Sequence, residues 1–441
     1  MESSTNEDGP SSHYSHLLVG TSLTLSTLSA ALSQSSKNRV LHIDPAEYYG
    51  SYNASLTLSQ LVTELQRRSH SGKADAEGTP LAGITFPYFA GPDAAEASSS
   101  HTPACLETLD RHYSISLSPA LQPAASPSLD VLVRSQVARY ATFRLLQRTA
   151  VWDTQQGMLK TVPASKEDVF KSGELSLIEK RKLMKFLQFA ATYSSSSTDE
   201  MPFKTFLETK FTLPPHLVTA IMYGIALGSS ETEAINAAME RLKVHLTSVG
   251  RYGNSAYLVP QYGGAGEIAQ GYCRAAAVHG ATFILGKEIE KLTAEQLEGP
   301  SGETDVSRYQ LKLKDIDEIF TADYVIGEDD LVHSMKGPQA TTPQSASTSD
   351  TQLLQGILVL DRSVRIPAPA VTSSATSSGE GEMRKEEEPL ETGLIVFPPG
   401  SLSLQDGAYN EAATTALVLG EGTFCCPKGQ YVVHLTTEIR G

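Results

Sequence analysis

The spacing of apolar positions changes along this chain, and each change marks a change of element. From Leu17 to Gly50 the sequence LLVGTSLTLSTLSAALSQSSKNRVLHIDPAEYYG reads strand, tight turn, helix and strand. An apolar Leu17-Leu18-Val19 run meets Gly20, a helix-length pattern follows, and Val40 to Asp44 forms the second strand. Ser55 to Arg68 carries apolar residues at Leu56, Leu58, Leu61, Val62 and Leu65, which predicts a helix. Leu129 to Leu146 reads as one long amphipathic helix. Ser176 and Glu179 form a capping-box pattern. The helix it opens places Leu183, Phe186, Leu187 and Ala190 on one face and Lys180, Arg181, Lys182 and Lys185 elsewhere. After the Pro214-Pro215 break, a helix is expected from His216 to Leu227, and a second capping box at Ser230 and Glu233. SRYQLKLKDIDEIFTADYVIG predicts strand, turn and strand, and GILVLDRSV, LIVFPPG and QYVVHLTTE predict the remaining strands.

These elements divide the chain. Residues 1–12 read as a disordered tail. Residues 13–128 are the first part of a Rossmann-like domain, with 71–102, rich in Gly, Ala, Pro and Ser, as an insertion loop. Residues 129–247 read as an inserted helical domain, and 248–441 as the return part of the first domain, with disordered inserts at 334–352 and 371–389. The expected fold class is α/β (α+β): a discontinuous, flavoprotein-like βαβ domain without flavin, plus an all-helical insertion.

The missing flavin follows from the turn. A dinucleotide site needs G-x-G-x-x-G between the first strand and helix. Counting from Gly20, the second glycine is Ser22 and the third is Leu25. A Cβ at the first of these intrudes on a pyrophosphate, and a leucine at the second holds helix and strand apart. Asp44, at the ribose-binding position, remains.

Composition narrows the function further. At 441 residues and 40% hydrophobic content, the chain can bury one large core or two linked ones. A net charge of −15, from 35 basic and 50 acidic residues, argues against nucleic acid as a partner. Cys105, Cys273, Cys425 and Cys426 show no CxxC or Cys/His ligand spacing, so no metal is expected. Cys425 and Cys426 read as strand residues. No signal-peptide pattern and no run of 18 apolar residues is present, and the expected location is the cytosol. His42, His279 and His434 lie in or beside apolar segments with no partner at a catalytic spacing. Asp329-Asp330 and Glu386-Glu387-Glu388 read as solvent-facing. G-x-S-x-G, Walker A and H-E-x-x-H are all missing, so no catalysis is expected.

Longer blocks carry a resemblance. VGTSLTLSTLSAALS with VLHIDPAEYYG, RYGNSAYLVPQYGGAGEIAQGYCRAAAVHGATFILGK, and VARYATFRLL followed by KEDVFKSGELSLIEKRKLMKFLQF are similar to the family of Rab GDP-dissociation inhibitors and Rab escort proteins. The similarity covers most of 13–330. It implies a flavin-free flavoprotein-like domain, a platform for GDP-bound Rab GTPases, and an apolar site for the geranylgeranyl lipid in the helical domain. By motif, the implied Rab-binding positions are Tyr49 of Y-Y-G, Glu267 of G-x-G-E, Arg274 seven residues on, and Ile284 in T-F-I. Glu267 and Arg274 could equally form a structural pair along one helix face. KEDVFKSGELSLIEKRKLMKFL and the three inserts resemble the escort branch, which presents unprenylated Rab to the geranylgeranyltransferase α/β heterodimer and delivers it to membranes through transient contact. Phe203 corresponds to an aromatic implied to dock that transferase, although its spacing from Phe206 also fits a core residue. The other branch recycles prenylated Rab, and a flavin-dependent oxidase is a third reading. Departures from the pattern are Ser22, Ser51 after Gly50, and Ala256 in place of proline. The sequence also ends in a strand, HLTTEIRG, where the family pattern continues into a helix.

Overall fold

β1 (His13–Val19) runs through Gly20 into α1 (Leu23–Leu32), and the chain returns as β2 (Val40–Asp44), parallel to β1 with Leu17 opposite Leu41. Gly20 has φ +97°, a left-handed conformation that makes the abrupt turn cheap for glycine. All five residues of β2 are buried, as expected of a parallel strand covered on both faces. The computed structural model describes residues 12–70, 107–163, 165–194, 201–297, 306–328, 351–367, 390–404 and 407–440. The expected tail through residue 11, the 71–102 loop, nearly all of the two later inserts, Cys105 and both acidic clusters lie outside the described residues.

Four more strands complete the first sheet: β10 (Thr282–Leu285), β11 (Ile289–Leu297), β12 (Val306–Leu313) and β13 (Ile319–Gly327). The order is β10-β2-β1-β13-β12-β11. β12 and β13 are the expected strand, turn and strand. One face buries Leu17, Val19, Leu41, Ile43 and Phe320. Toward the other face pack α1 and α9 (Ala265–Val278), whose Ala30, Ile268, Tyr272 and Ala276 join one core.

A second six-stranded sheet has the order β14-β17-β16-β15-β7-β8. Its strands are β7 (Arg148–Asp153), β8 (Met158–Thr161), β14 (Thr351–Leu360), β15 (Thr392–Phe397), β16 (Thr414–Leu419) and β17 (Tyr431–Arg440). β14, β15 and β17 were legible in the sequence, and β16 was not. β3 (Ser55–Leu56) pairs with β4 (Ile115–Ser116), and β9 (Tyr257–Pro260) lies between β5 (Gln122–Pro123) and β6 (Phe143–Leu145).

α2 (Leu58–His70) and α3 (Pro127–Arg134) precede the helical region. That region holds α4 (Lys166–Lys171), α5 (Leu177–Thr192), α6 (Phe203–Lys210), α7 (Pro215–Thr219) and α8 (Ile235–Ser248). The Ser176 capping box on α5 is formed in both directions, an arrangement that stabilises a helix end by about 1 kcal/mol. Its four apolar positions are all buried. Phe186 and Phe211 meet edge to face at 5.2 Å, among Phe189, Phe203 and Phe206.

Several expectations are corrected. Leu129 to Leu146 is not one helix: α3 stops at Arg134, a 3-10 turn spans Val137–Arg139, and β6 follows. Gln136, with φ +61°, breaks the run because a left-handed residue cannot continue a helix. Arg148–Asp153 and Met158–Thr161, within the span read as helical, are strands of the second sheet. Ser230 and Glu233 do not cap α8. Ser230 bonds Thr232, Glu233 pairs with Arg241, and the N-cap is Ala234. The His216–Leu227 helix becomes α7 and a π-helical turn over Ala220–Ile225. Cys425 and Cys426 sit buried in a turn, not in a strand.

Candidate functional site

The N-terminus of α1, where a dinucleotide fold receives its ligand, is closed by the protein's own side chains. Asp44 Oδ2 accepts from the Thr21 N–H at 2.8 Å, the Thr21 hydroxyl at 2.6 Å and the Ser51 hydroxyl at 3.0 Å. Its Oδ1 accepts from the Ala46 N–H at 2.9 Å. The Leu23 N–H, at the helix start, donates to Asn53 Oδ1 at 3.1 Å. The Glu328 carboxyl carbon lies 2.9 Å from where a Cβ on Gly20 would stand. An anionic pyrophosphate would meet that carboxylate and amides already engaged, and a ribose would find Asp44 saturated. These residues do not fit a flavin or nicotinamide dinucleotide. Ser51, a departure from the family pattern, is thus a structural part of the closure. His42 is buried beneath it, with Nε2 2.6 Å from the Gly20 carbonyl oxygen. Burial lowers its pKa, against the opposing pull of that bond and of Asp44.

A second, open feature begins at the glycines before α9. A Cβ on Gly266 would stand 2.6 Å from the Ser55 backbone nitrogen and 2.8 Å from the Asn53 carbonyl oxygen. The G-x-G-E motif therefore lets the start of α9 touch the chain just after Y-Y-G. Glu267, half-buried in the first turn, has its carboxyl pKa raised by burial. Arg274 lies seven residues on, along almost the same line of the helix and about 10 Å away by helical rise. The two do not pair. Among the described residues neither side chain makes an ion pair or a hydrogen bond, and the Arg274 guanidinium carbon stands 4.7 Å over the Tyr140 ring.

The remaining predicted positions separate. Tyr49 is on the α9 side, half-buried, its ring edge-on to Phe283 at 6.1 Å. Burial, helped by nearby Cys273, raises its hydroxyl pKa. Ile284 neighbours Phe283 on the edge strand β10, so it faces the opposite side of the sheet and packs on Leu41 and Ile43's core. The structure thus brings Tyr49, Glu267 and Arg274 to one side and leaves Ile284 on the other. Phe203 is 1% exposed and packs on Phe186 at 6.3 Å, so its ring offers no face to a partner. Sequence reasoning missed Tyr140, because VARYATFRLL was read as helix, and Asn53, which no local pattern marks.

The helical region also holds a cavity of about 310 Å³, at the small end of ligand pockets. Its walls include Val169, Leu183, Leu187, Leu217, Ile221 and Ile225, with polar Ser165, Glu167, His245 and Asn254. The π-helical turn contributes one wall, pressed tight at Gly224, where a Cβ would come within 2.5 Å of Val162. Among the described residues no His, Cys, Asp or Glu group could hold a metal, and no helix is long and apolar enough to cross a membrane.

Comparison with known proteins is consistent with this geometry. The family model described as GDP dissociation inhibitor matches residues 10–78 and 98–330. The chain belongs to this family. Rab escort protein 1 of Arabidopsis thaliana is 30% identical, across 97% of this chain and 77% of that protein. Rab proteins geranylgeranyltransferase component A of Saccharomyces cerevisiae is 28% identical, across 96% of this chain and 61% of that protein. The Drosophila melanogaster protein of the same name is 31% identical, across 63% and 54%. The chain therefore spans between about half and three quarters of these family members' lengths. Among solved structures, the RAB GDI of Plasmodium falciparum shares the fold at a TM-score of 0.59, with 18% identity over 97% of this chain and 83% of that one. An oxidoreductase of Methanosarcina mazei reaches 0.51 at 11% identity, over 96% and 78%, a likeness of fold.

Proposed function

We propose that this protein is a non-catalytic escort for Rab GTPases. It binds unprenylated, GDP-bound Rab, presents it to the Rab geranylgeranyltransferase heterodimer, and carries the product through the cytosol to membranes by transient contact. The carrying observation is that Glu267 and Arg274 share one line of α9, each without an ion-pair or side-chain hydrogen-bond partner among the described residues. Two opposite charges held apart in this way suit a partner with the complementary pair, and Tyr49 adds an aromatic edge of the kind that anchors interfaces. The names of the plant, yeast and fly relatives support both the GTPase and the transferase as partners.

The cavity in the helical region supplies apolar walls for the geranylgeranyl chain. Shielding such a chain is worth about 0.8 kcal/mol per CH₂, which is the physical need for a carrier. The transferase contact falls to exposed faces of α5 and α6, since Phe203 is inside. The test is prenyl transfer to unprenylated GDP-bound Rab by purified heterodimer, with and without this protein. Transfer that depends on its addition supports the escort role. Likeness to the RAB GDI fold favours a second reading, a dissociation inhibitor. That reading predicts no support of transfer but removal of prenylated Rab from liposomes.

A further inference from the structure

Arg274 is exposed on α9, yet its guanidinium is stacked on a ring that the chain goes to some length to place there. Gln136, at φ +61°, ends α3 and turns the chain into the Val137–Arg139 3-10 turn. Val137 is buried against α9, and the Tyr140 N–H donates to the Val137 carbonyl at 2.8 Å, fixing the tyrosine just beyond. Gly271, one turn before Arg274, permits the approach. A Cβ there would stand 3.1 Å from Val137 Cγ1 and 3.5 Å from Tyr140 Cβ. The result is a tyrosine, 38% exposed as a residue, beneath a guanidinium that keeps its five N–H donors free of any carboxylate among the described residues.

We propose that Tyr140 is a positioning residue of the partner-binding face: its ring holds the Arg274 guanidinium in a preset place on α9, ready for a carboxylate of the bound GTPase. The inference rests on the reading of α9 as the Rab-binding face and adds the residue that organises it. An unsupported arginine on a helix surface loses side-chain freedom when it engages a planar carboxylate. Stacking removes part of that loss beforehand, and the aromatic face attracts the cation more strongly once a partner excludes water.

The test measures the affinity of the full chain for an unprenylated, GDP-bound Rab in wild type, Arg274→Ala, Tyr140→Phe, Tyr140→Leu and the double variant Tyr140→Leu/Arg274→Ala. Tyr140→Phe keeps the ring and binds within about twofold of wild type, while Tyr140→Leu weakens binding roughly three- to thirtyfold. In the Arg274→Ala background, Tyr140→Leu adds no more than about twofold, because the ring acts through the guanidinium. Should Tyr140→Leu prove unfolded by circular dichroism, Gly271→Ala serves instead. Its Cβ crowds Val137 Cγ1 at 3.1 Å and so shifts the 3-10 turn that carries the ring, and its loss of affinity is likewise expected to vanish without Arg274. Unchanged affinity in Arg274→Ala would sink the reading of α9 itself. A loss in Arg274→Ala with none in Tyr140→Leu, or a full additional loss in the double variant, would leave that reading standing and overturn the role of Tyr140.

Discussion

At the start of α1, Thr21, Asp44 and Ser51 answer one another and Asn53 answers the Leu23 N–H, while on the outer line of α9 the Glu267 carboxylate and the Arg274 guanidinium have no hydrogen-bond or ion-pair partner among the described residues. The two helices pack side by side in one core, so the contrast is not one of fold but of commitment. Polar groups satisfied internally hold the protein together and leave nothing for a ligand. Polar groups held ready but unsatisfied cost little at the surface and are free to specify a partner. The dinucleotide position of the framework is taken up by structure, and the neighbouring helix face is the one left open to the proposed partner.

The contrast can be broken most strongly at its closed end. Asp44→Ala leaves the Ala46 N–H and the Thr21 and Ser51 hydroxyls without their acceptor, with only Ser51 Oγ remaining for the Thr21 N–H, and should destabilise the protein by about 3 kcal/mol in urea unfolding. A loss under about 1 kcal/mol would show that the network is not holding the fold. Arg274→Ala should do the reverse: unfolding free energy within about 0.5 kcal/mol of wild type, but Rab affinity down at least about tenfold. Equal effects on both measurements would erase the distinction.

The pH dependence sharpens it. Burial lowers the pKa of His42 below its unfolded value of 6.5. Its contribution to stability is therefore full above that value and is lost as pH falls toward the folded pKa, because the unfolded chain takes up the proton first. His42→Gln should flatten this acid limb between pH 6.5 and the folded pKa in unfolding measured against pH. The smallest effect is expected at Glu267, whose pKa is raised above 4.5 by burial. Its charge opposes folding above the folded pKa, so Glu267→Gln should be slightly more stable than wild type at neutral pH. The difference should vanish below pH 4.5, while Rab binding weakens.

Legibility followed the range of the interactions. The βαβ start, the α5 capping box and the β12–β13 hairpin were readable because each is set by residues close in sequence. β16 was missed because TTALVL is short and carries no turn signal of its own, and the false helix at Leu129 to Leu146 had helical periodicity that Gln136 interrupts. Ser230 and Glu233 had the right spacing for a cap, but Arg241 takes Glu233 away. For the candidate site, family motifs named Tyr49, Glu267, Arg274 and Ile284, but not that the fold sets the first three on one side of the sheet and Ile284 on the other.

By itself the sequence determined the broken glycine turn, the apolar faces that build the two kinds of region, and the family to which the motifs belong. Those are local properties of side-chain size, spacing and backbone freedom. Tertiary structure decided what became of the polar groups. Ser51 and Asn53 close the start of α1 because a left-handed corner at Gly50 and Ser51 folds them onto it. Phe203 is core because α5 and α6 pack ring on ring, and Arg274 is stacked because Gly271 lets Val137, and with it the turn that carries Tyr140, come near. Whether a charged or aromatic side chain is spent inside the protein or kept for a partner depends on neighbours far away in sequence, and only the folded chain supplies them.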